Sequence, residues 1–170
     1  MTDAHFPPDL LAATAAFNAA IEAAFVPGAA WQALQRFADS LIGAKLFTVM
    51  TVDMPNELAR RQFTSDPVAY PASGSKPIQY NRWFDIVHKQ RQNFVANTIA
   101  EIATVFPDHE TIWSLGCGSV VNVPVVIDNV LVATVNMLHE EHFYTPERVA
   151  STAHLALPAK IAYLVEKQLG

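Results

Sequence analysis

Seven consecutive residues, Leu46-Phe47-Thr48-Val49-Met50-Thr51-Val52, are apolar or β-branched in both alternating sets. A strand points successive side chains to opposite faces, so such a run needs cover on both sides. That requirement limits the chain to a layered fold with a sheet between two sets of other elements. Residues 119–127 and 130–139 share this texture. They flank Asp128-Asn129, a two-residue hairpin signal.

Helical patterns surround these strands. Leu10, Thr14, Phe17, Ile21 and Phe25 recur at helical spacing in an alanine-rich segment that Pro27-Gly28 breaks. Trp31, Leu34, Phe37 or Ala38, and Leu41 form a second stripe, with Gly43 at the C-cap position. Residues 58–65 read as a more exposed strand, and the proline-rich residues 66–77 as a loop whose length and Tyr70 make it a candidate lid. A short helix is expected around Tyr80, Trp83, Phe84 and Val87, and a short strand over 93–97. Thr98-Ile99-Ala100-Glu101 is a capping box, Pro107 ends the helix it starts, and Asp108 can cap another. Thr145-Pro146-Glu147 opens a last helix, in which Pro158 predicts a kink. The expected architecture is a single α+β domain over 1–170: two helices at about 9–42, sheet and lid at about 44–139, and a helix at about 146–168. Its antiparallel sheet of five to six strands carries helices on both faces.

Composition narrows the function classes. At 170 residues the chain can bury about two-thirds of its unfolded surface, enough for one core. Apolar residues make up 51% and charged residues 16%, unlike a disordered chain. A net charge of −5 without a Lys/Arg block argues against nucleic-acid or anionic-membrane partners. No apolar run is long enough to span a bilayer. One cysteine and no signal-peptide pattern in residues 1–5 point to a reduced, cytoplasmic setting.

The stretch from Val121-Asn122-Val123-Pro124-Val125 through Asp128-Asn129 to Asn136-Met137-Leu138 resembles the GAF domain family. A strand ending in Val-Pro-hydrophobe, a short turn and a second apolar strand carry the likeness, together with the helix after Phe143-Tyr144-Thr145-Pro146-Glu147. Asn129 and Ala133 stand where the family commonly has glycine. The resemblance covers about residues 20–168. It implies a profilin-like, PAS-related sheet with terminal helices on one face and a ligand pocket on the other, roofed by about residues 66–116. It also implies a homodimer built from the terminal helices. A PAS domain is the alternative fold, and the two leading helices and the Val-Pro strand speak against it.

Candidate site residues follow from that placement. Arg60 and Arg61 point to opposite faces of their strand, so one can meet an anionic group; Arg60 is taken as the candidate. Tyr70, Trp83, Phe106 and Trp113 are candidate aromatic walls, or plain core. Asn122 and Asn136 interrupt apolar strands, and a buried amide needs a partner; Asn136 is the favoured ligand contact, with Ser119 and Thr134 as minor ones. Cys117 is a candidate contact or thiol, although the free methionine-R-sulfoxide reductases of this fold family resolve a sulfenic acid with a second cysteine that this chain lacks. No lysine lies between Asn136 and Phe143, which disfavours cyclic-nucleotide binding, and Cys117-Gly118 does not fit bilin attachment. His139-Glu140-Glu141-His142 lacks the zinc-protease spacing and reads as a solvated turn. The resemblance thus implies a stand-alone sensory or regulatory domain that binds a small molecule and acts through dimer or partner contacts. It identifies no cofactor, metal or catalytic residue. The alternatives are a thiol enzyme of the sulfoxide-reductase kind and an interaction module whose pocket is filled.

Overall fold

The computed structural model describes residues 9–72 and 74–170; the absence of a signal peptide in residues 1–5 concerns residues outside these. In chain order the elements are α1 (Leu10–Glu22), α2 (Ala29–Leu41), β1 (Leu46–Asp53), β2 (Leu58–Thr64), β3 (Ser75–Pro77) and α3 (Arg82–Phe84). A π-helical turn (Asp85–Lys89) follows, then β4 (Phe94–Ala96), α4 (Ile99–Ala103), α5 (His109–Ser114), β5 (Ser119–Ile127) and β6 (Val130–His139). The chain ends with α6 (Pro146–Ser151), a 3₁₀ turn (Thr152–Leu155) and α7 (Ala156–Leu169). The six strands form one sheet in the order β3-β2-β1-β6-β5-β4, with every neighbouring pair antiparallel.

The central strands are covered on both faces. Phe47, Val49, Val135, Met137, Val121 and Val123 point to one side, where α1, α2 and α7 bury them. Leu46, Leu138, Val120 and Phe94 point to the other and pack beneath α4, α5 and the π-helical turn. β5 and β6 meet at Asp128-Asn129, both left-handed (φ 51° and 59°), as the tightest hairpin turn requires. Arg91 clamps that turn by donating to the Asn129 side chain and carbonyl, each at 2.6 Å.

Local chemistry sets the helix ends. Thr98 accepts from Glu101 N at 3.2 Å while Glu101 accepts from Thr98 N at 3.3 Å, closing the capping box. Gly43 has φ +97°, where any other residue is strained, and a Cβ there would lie 3.0 Å from the Phe143 ring. Gly28, the N-cap of α2, has no side chain with which to cap it. The Glu166 carboxylate of α7 supplies the missing acceptors, taking Gly28 N and Ala30 N at 2.8 Å each.

Three expectations are corrected. The expected loop 66–77 ends in strand β3, whose Pro77 sits on the sheet edge where its missing N–H is harmless. The last helix, expected as one helix kinked at Pro158, is interrupted by the 3₁₀ turn Thr152–Leu155, which contains His154, the residue whose carbonyl Pro158 leaves without an N–H donor, and Pro158 itself falls in the first turn of α7. The stripe of α1 is narrower than its spacing implies. Only Ala13 and Phe17 are buried, and Phe25, beyond the helix end, is exposed.

Glu166→Ala removes both caps of α2 and should destabilise the protein by about 1–3 kcal/mol in urea unfolding, with Glu166→Gln retaining part of that stability; an effect within 0.5 kcal/mol, roughly the surface background, would show that the caps are replaceable by water.

Candidate functional site

The antiparallel register aligns polar side chains into rows on the sheet face away from α1, α2 and α7. Thr48 on β1 lies opposite Asn136 on β6, which lies opposite Asn122 on β5. Asn136 Nδ2 donates to Thr48 Oγ1 at 3.2 Å, and Asn122 Nδ2 donates to Asn136 Oδ1 at 2.6 Å. Trp83 Nε1 donates to Asn122 Oδ1 at 2.9 Å and ties α3 to the sheet. Each amide in this row thus has a partner, which relieves most of the cost of burying it.

The next row crosses β2, β1 and β6 at Arg61, Met50 and Thr134. It is not satisfied in the same way. Arg61 Nε and Thr134 Oγ1 are buried without a hydrogen-bond partner among the described residues. The two rows floor a cavity of about 370 Å³ between the sheet and the segments from Tyr70 to Ile112. Its walls are mostly apolar: Met50, Val52, Ile78, Trp83, Phe84 and Phe106 among others. Trp83 and Phe106 meet edge to face at 6.4 Å, and Phe106 meets Phe94 at 6.0 Å.

One cluster ties Tyr70 and Pro71 to β2 and to Asp108. The Arg61 guanidinium lies 3.7 Å from the centre of the Tyr70 ring, and its Nη1 donates to Pro71 O at 2.9 Å. The Tyr70 hydroxyl donates to the Asp108 carboxylate. Burial, reinforced by the charge of Asp108, pushes the Tyr70 phenol above its ordinary range, so it stays a donor. Asp108 occupies the N-cap position of α5, as expected, yet its side chain makes no cap bond there. The carboxylate turns toward Tyr70 and toward Arg61 Nη2, which lies 3.9 Å from Asp108 Oδ2. His88 also lines the cavity, stacked on Phe84 at 4.5 Å. Burial, then the charges of Arg91 and Lys89, lower its pKa, which favours the neutral ring.

Tyr70, Trp83, Phe106 and Asn136 of the expected set line this cavity together. Four others do not, and each has a physical reason. Strand alternation sends Arg61 rather than Arg60 to the cavity face, and Arg60 is solvent-exposed. Trp113 projects from α5 and is 55% exposed. Cys117 is buried in the apolar cluster around Ile112 and Val120, and burial raises its thiol pKa against the opposing pull of Lys45. Ser119 donates to Glu140 O at 2.6 Å at the far end of the sheet. Asp108 and His88 had no sequence signal as site residues: Asp108 reads as a helix cap, and His88 reaches the cavity only through tertiary packing.

Asn136→Leu strands both Asn122 Nδ2 and Thr48 Oγ1 and should cost about 2–4 kcal/mol in urea unfolding. Replacing the whole row (Thr48→Val, Asn122→Leu, Asn136→Leu and Trp83→Phe) should cost clearly less than the sum of the single changes. Strict additivity would contradict a connected row.

No family model matches the sequence, and no curated protein matches it. Solved structures do match. The GAF domain of a two-component sensor histidine kinase from Bacillus halodurans superposes with a TM-score of 0.68 at 12% identity, covering 85% of this chain and 99% of that one. The GAF domain of a phosphoenolpyruvate-protein phosphotransferase from Coxiella burnetii gives 0.61 at 16% identity, covering 94% and 96%. Free methionine-R-sulfoxide reductase from Neisseria meningitidis, solved with its substrate, gives 0.60 at 14% identity over 100% of both chains. Among the described residues no helix is long and apolar enough to cross a membrane. The six-stranded antiparallel sheet and its helices have the GAF fold.

Proposed function

We propose that the chain binds a small molecule in the cavity between sheet and lid, and that occupancy is read out through the helices on the opposite face. The observation that carries this is the cavity itself. About 370 Å³ lies within the usual range of ligand sites, and apolar walls with a few converging polar groups are their usual lining. Tyr70, Trp83, Phe106 and Asn136, with Arg61, Asn122 and Thr134, are the proposed contacts.

The sheet supports the second half of the proposal. Thr48, Asn136 and Asn122 face the cavity, while their chain neighbours Phe47, Val49, Val135, Met137, Val121 and Val123 face α1, α2 and α7. A displacement of β1, β5 or β6 on ligand binding therefore moves side chains on both faces. On the outer helices Leu11, Leu157 and Leu164 are exposed apolar side chains, 87%, 67% and 51% accessible, suited to contact with a second copy or another protein. Ligand binding biases that surface only if the ligand prefers one arrangement of the lid and sheet over another.

A thermal-shift screen of metabolite-sized molecules should find binders that raise the melting temperature, and Ala59→Phe, placed in the cavity wall, should abolish those shifts while leaving the protein folded. Shifts that survive Ala59→Phe, or no shift from any compound, would overturn the site. For each binder, light scattering should report a changed oligomeric state or partner affinity. Binding without either change would remove the readout.

A further inference from the structure

We propose that the ligand is a small organic acid whose carboxylate sits on Arg61 and whose apolar body lies against Met50, Trp83 and Phe106. The proposal rests on the reading of this cavity as a ligand site. It starts from an incomplete set of hydrogen bonds. Arg61 is about nine-tenths buried, lines the cavity, and makes one hydrogen bond through Nη1, to Pro71 O. Among the described residues its Nε has no acceptor, and its Nη2 is 3.9 Å from Asp108, beyond hydrogen-bond length. Nε and one Nη form the edge of a guanidinium that a carboxylate engages with two parallel bonds. A buried cation with that edge unfilled calls for an acceptor.

Charge points the same way. The chain as a whole carries −5, yet among the described residues the cavity lining holds two cations, Arg61 and Lys76, against one carboxylate, Asp108. Lys76 stands on the edge strand β3, opposite Ala59, where it can attract an anion to the mouth. The remaining surface fixes the rest of the ligand. Beyond Arg61 the walls are largely apolar and aromatic, and apart from Asp108 only Lys76 at the mouth carries a charge, so a molecule charged at several points would leave charge unpaired inside.

Asp108 gives the proposal a signature of its own. Its carboxylate half-occupies the place beside Arg61 that the ligand's carboxylate would take. Two carboxylates there repel, so an incoming acid competes with Asp108 for Arg61. Removing the charge of Asp108 should therefore help an acid, whereas removing that of Arg61 should hurt it. A simple loss of structure would not move the two in opposite directions.

The test is calorimetry with matched pairs that differ in charge but scarcely in shape: phenylacetate and phenylacetamide, indole-3-acetate and indole-3-acetamide, hexanoate and hexanamide. At least one acid should bind tenfold or more tightly than its amide. Arg61→Gln should bring that ratio below threefold, and Asp108→Asn should tighten acid binding threefold or more. Equal binding of acids and amides, or tighter binding of amides, overturns the inference and leaves the cavity as a ligand site. Failure of both series to bind removes the inference together with that site. If Arg61→Gln does not fold, judged by circular dichroism, the wild-type ratio and the Asp108→Asn response decide alone, and weaker acid binding by Asp108→Asn counts against the proposal.

Discussion

The side chains of a strand alternate, and in this sheet that alternation separates two environments. β1, β6 and β5 send one set of residues into a dry core beneath α1, α2 and α7, and the other set toward a cavity. The antiparallel register then places residues of equal parity side by side, so Thr48, Asn136 and Asn122 meet as a row rather than as three separate buried polar groups. The helices, the lid and the cavity all take their positions from this two-faced sheet. A one-residue slip in β6 would turn Asn136 into the helix core and Val135 into the cavity.

Polar groups beneath the lid divide into two kinds. The Asn row is internally satisfied and reaches Trp83, so it fixes the cap to the sheet. The Arg61 row is not, and the arginine is spread over a ring, a carbonyl and a distant carboxylate. Tyr70 belongs to both the lid and this cluster, through its ring to Arg61 and its hydroxyl to Asp108. An acceptor at Arg61, as proposed, would compete with the contacts that tie Tyr70 to the sheet and to Asp108.

Much of the fold could be read from local chemistry. The doubly apolar run at β1, the Asp128-Asn129 turn and the Thr98–Glu101 capping box each depend on adjacent residues, and each forms as expected. The cavity was harder to read because it depends on parity and on distant partners. Because β1 is apolar in both sets, nothing in it says whether Met50 or Val49 faces the cavity, and so whether Arg61 or Arg60 does. A bulge at Gln62 shifts the register further, pairing Val49 with Phe63 where Met50 pairs with Arg61. One exclusion was available: Ser119 and Asn122 are an odd number of residues apart on one strand, so alternation sets them on opposite faces. Asp108 gave no such hint, because a helix cap and a cavity carboxylate look alike in sequence.

The proposed function requires that the space between Arg61 and the Asn row stay open in the folded protein. A crystal structure of the protein as purified, at a resolution that shows ordered water, tests it most directly. An ordered molecule, or a chain of waters, should lie in the cavity against the Arg61 guanidinium, beneath an intact Trp83–Asn122 contact. A collapsed cavity, with Trp83 and Phe106 filling the space over Met50 and Arg61 turned to solvent, would contradict it.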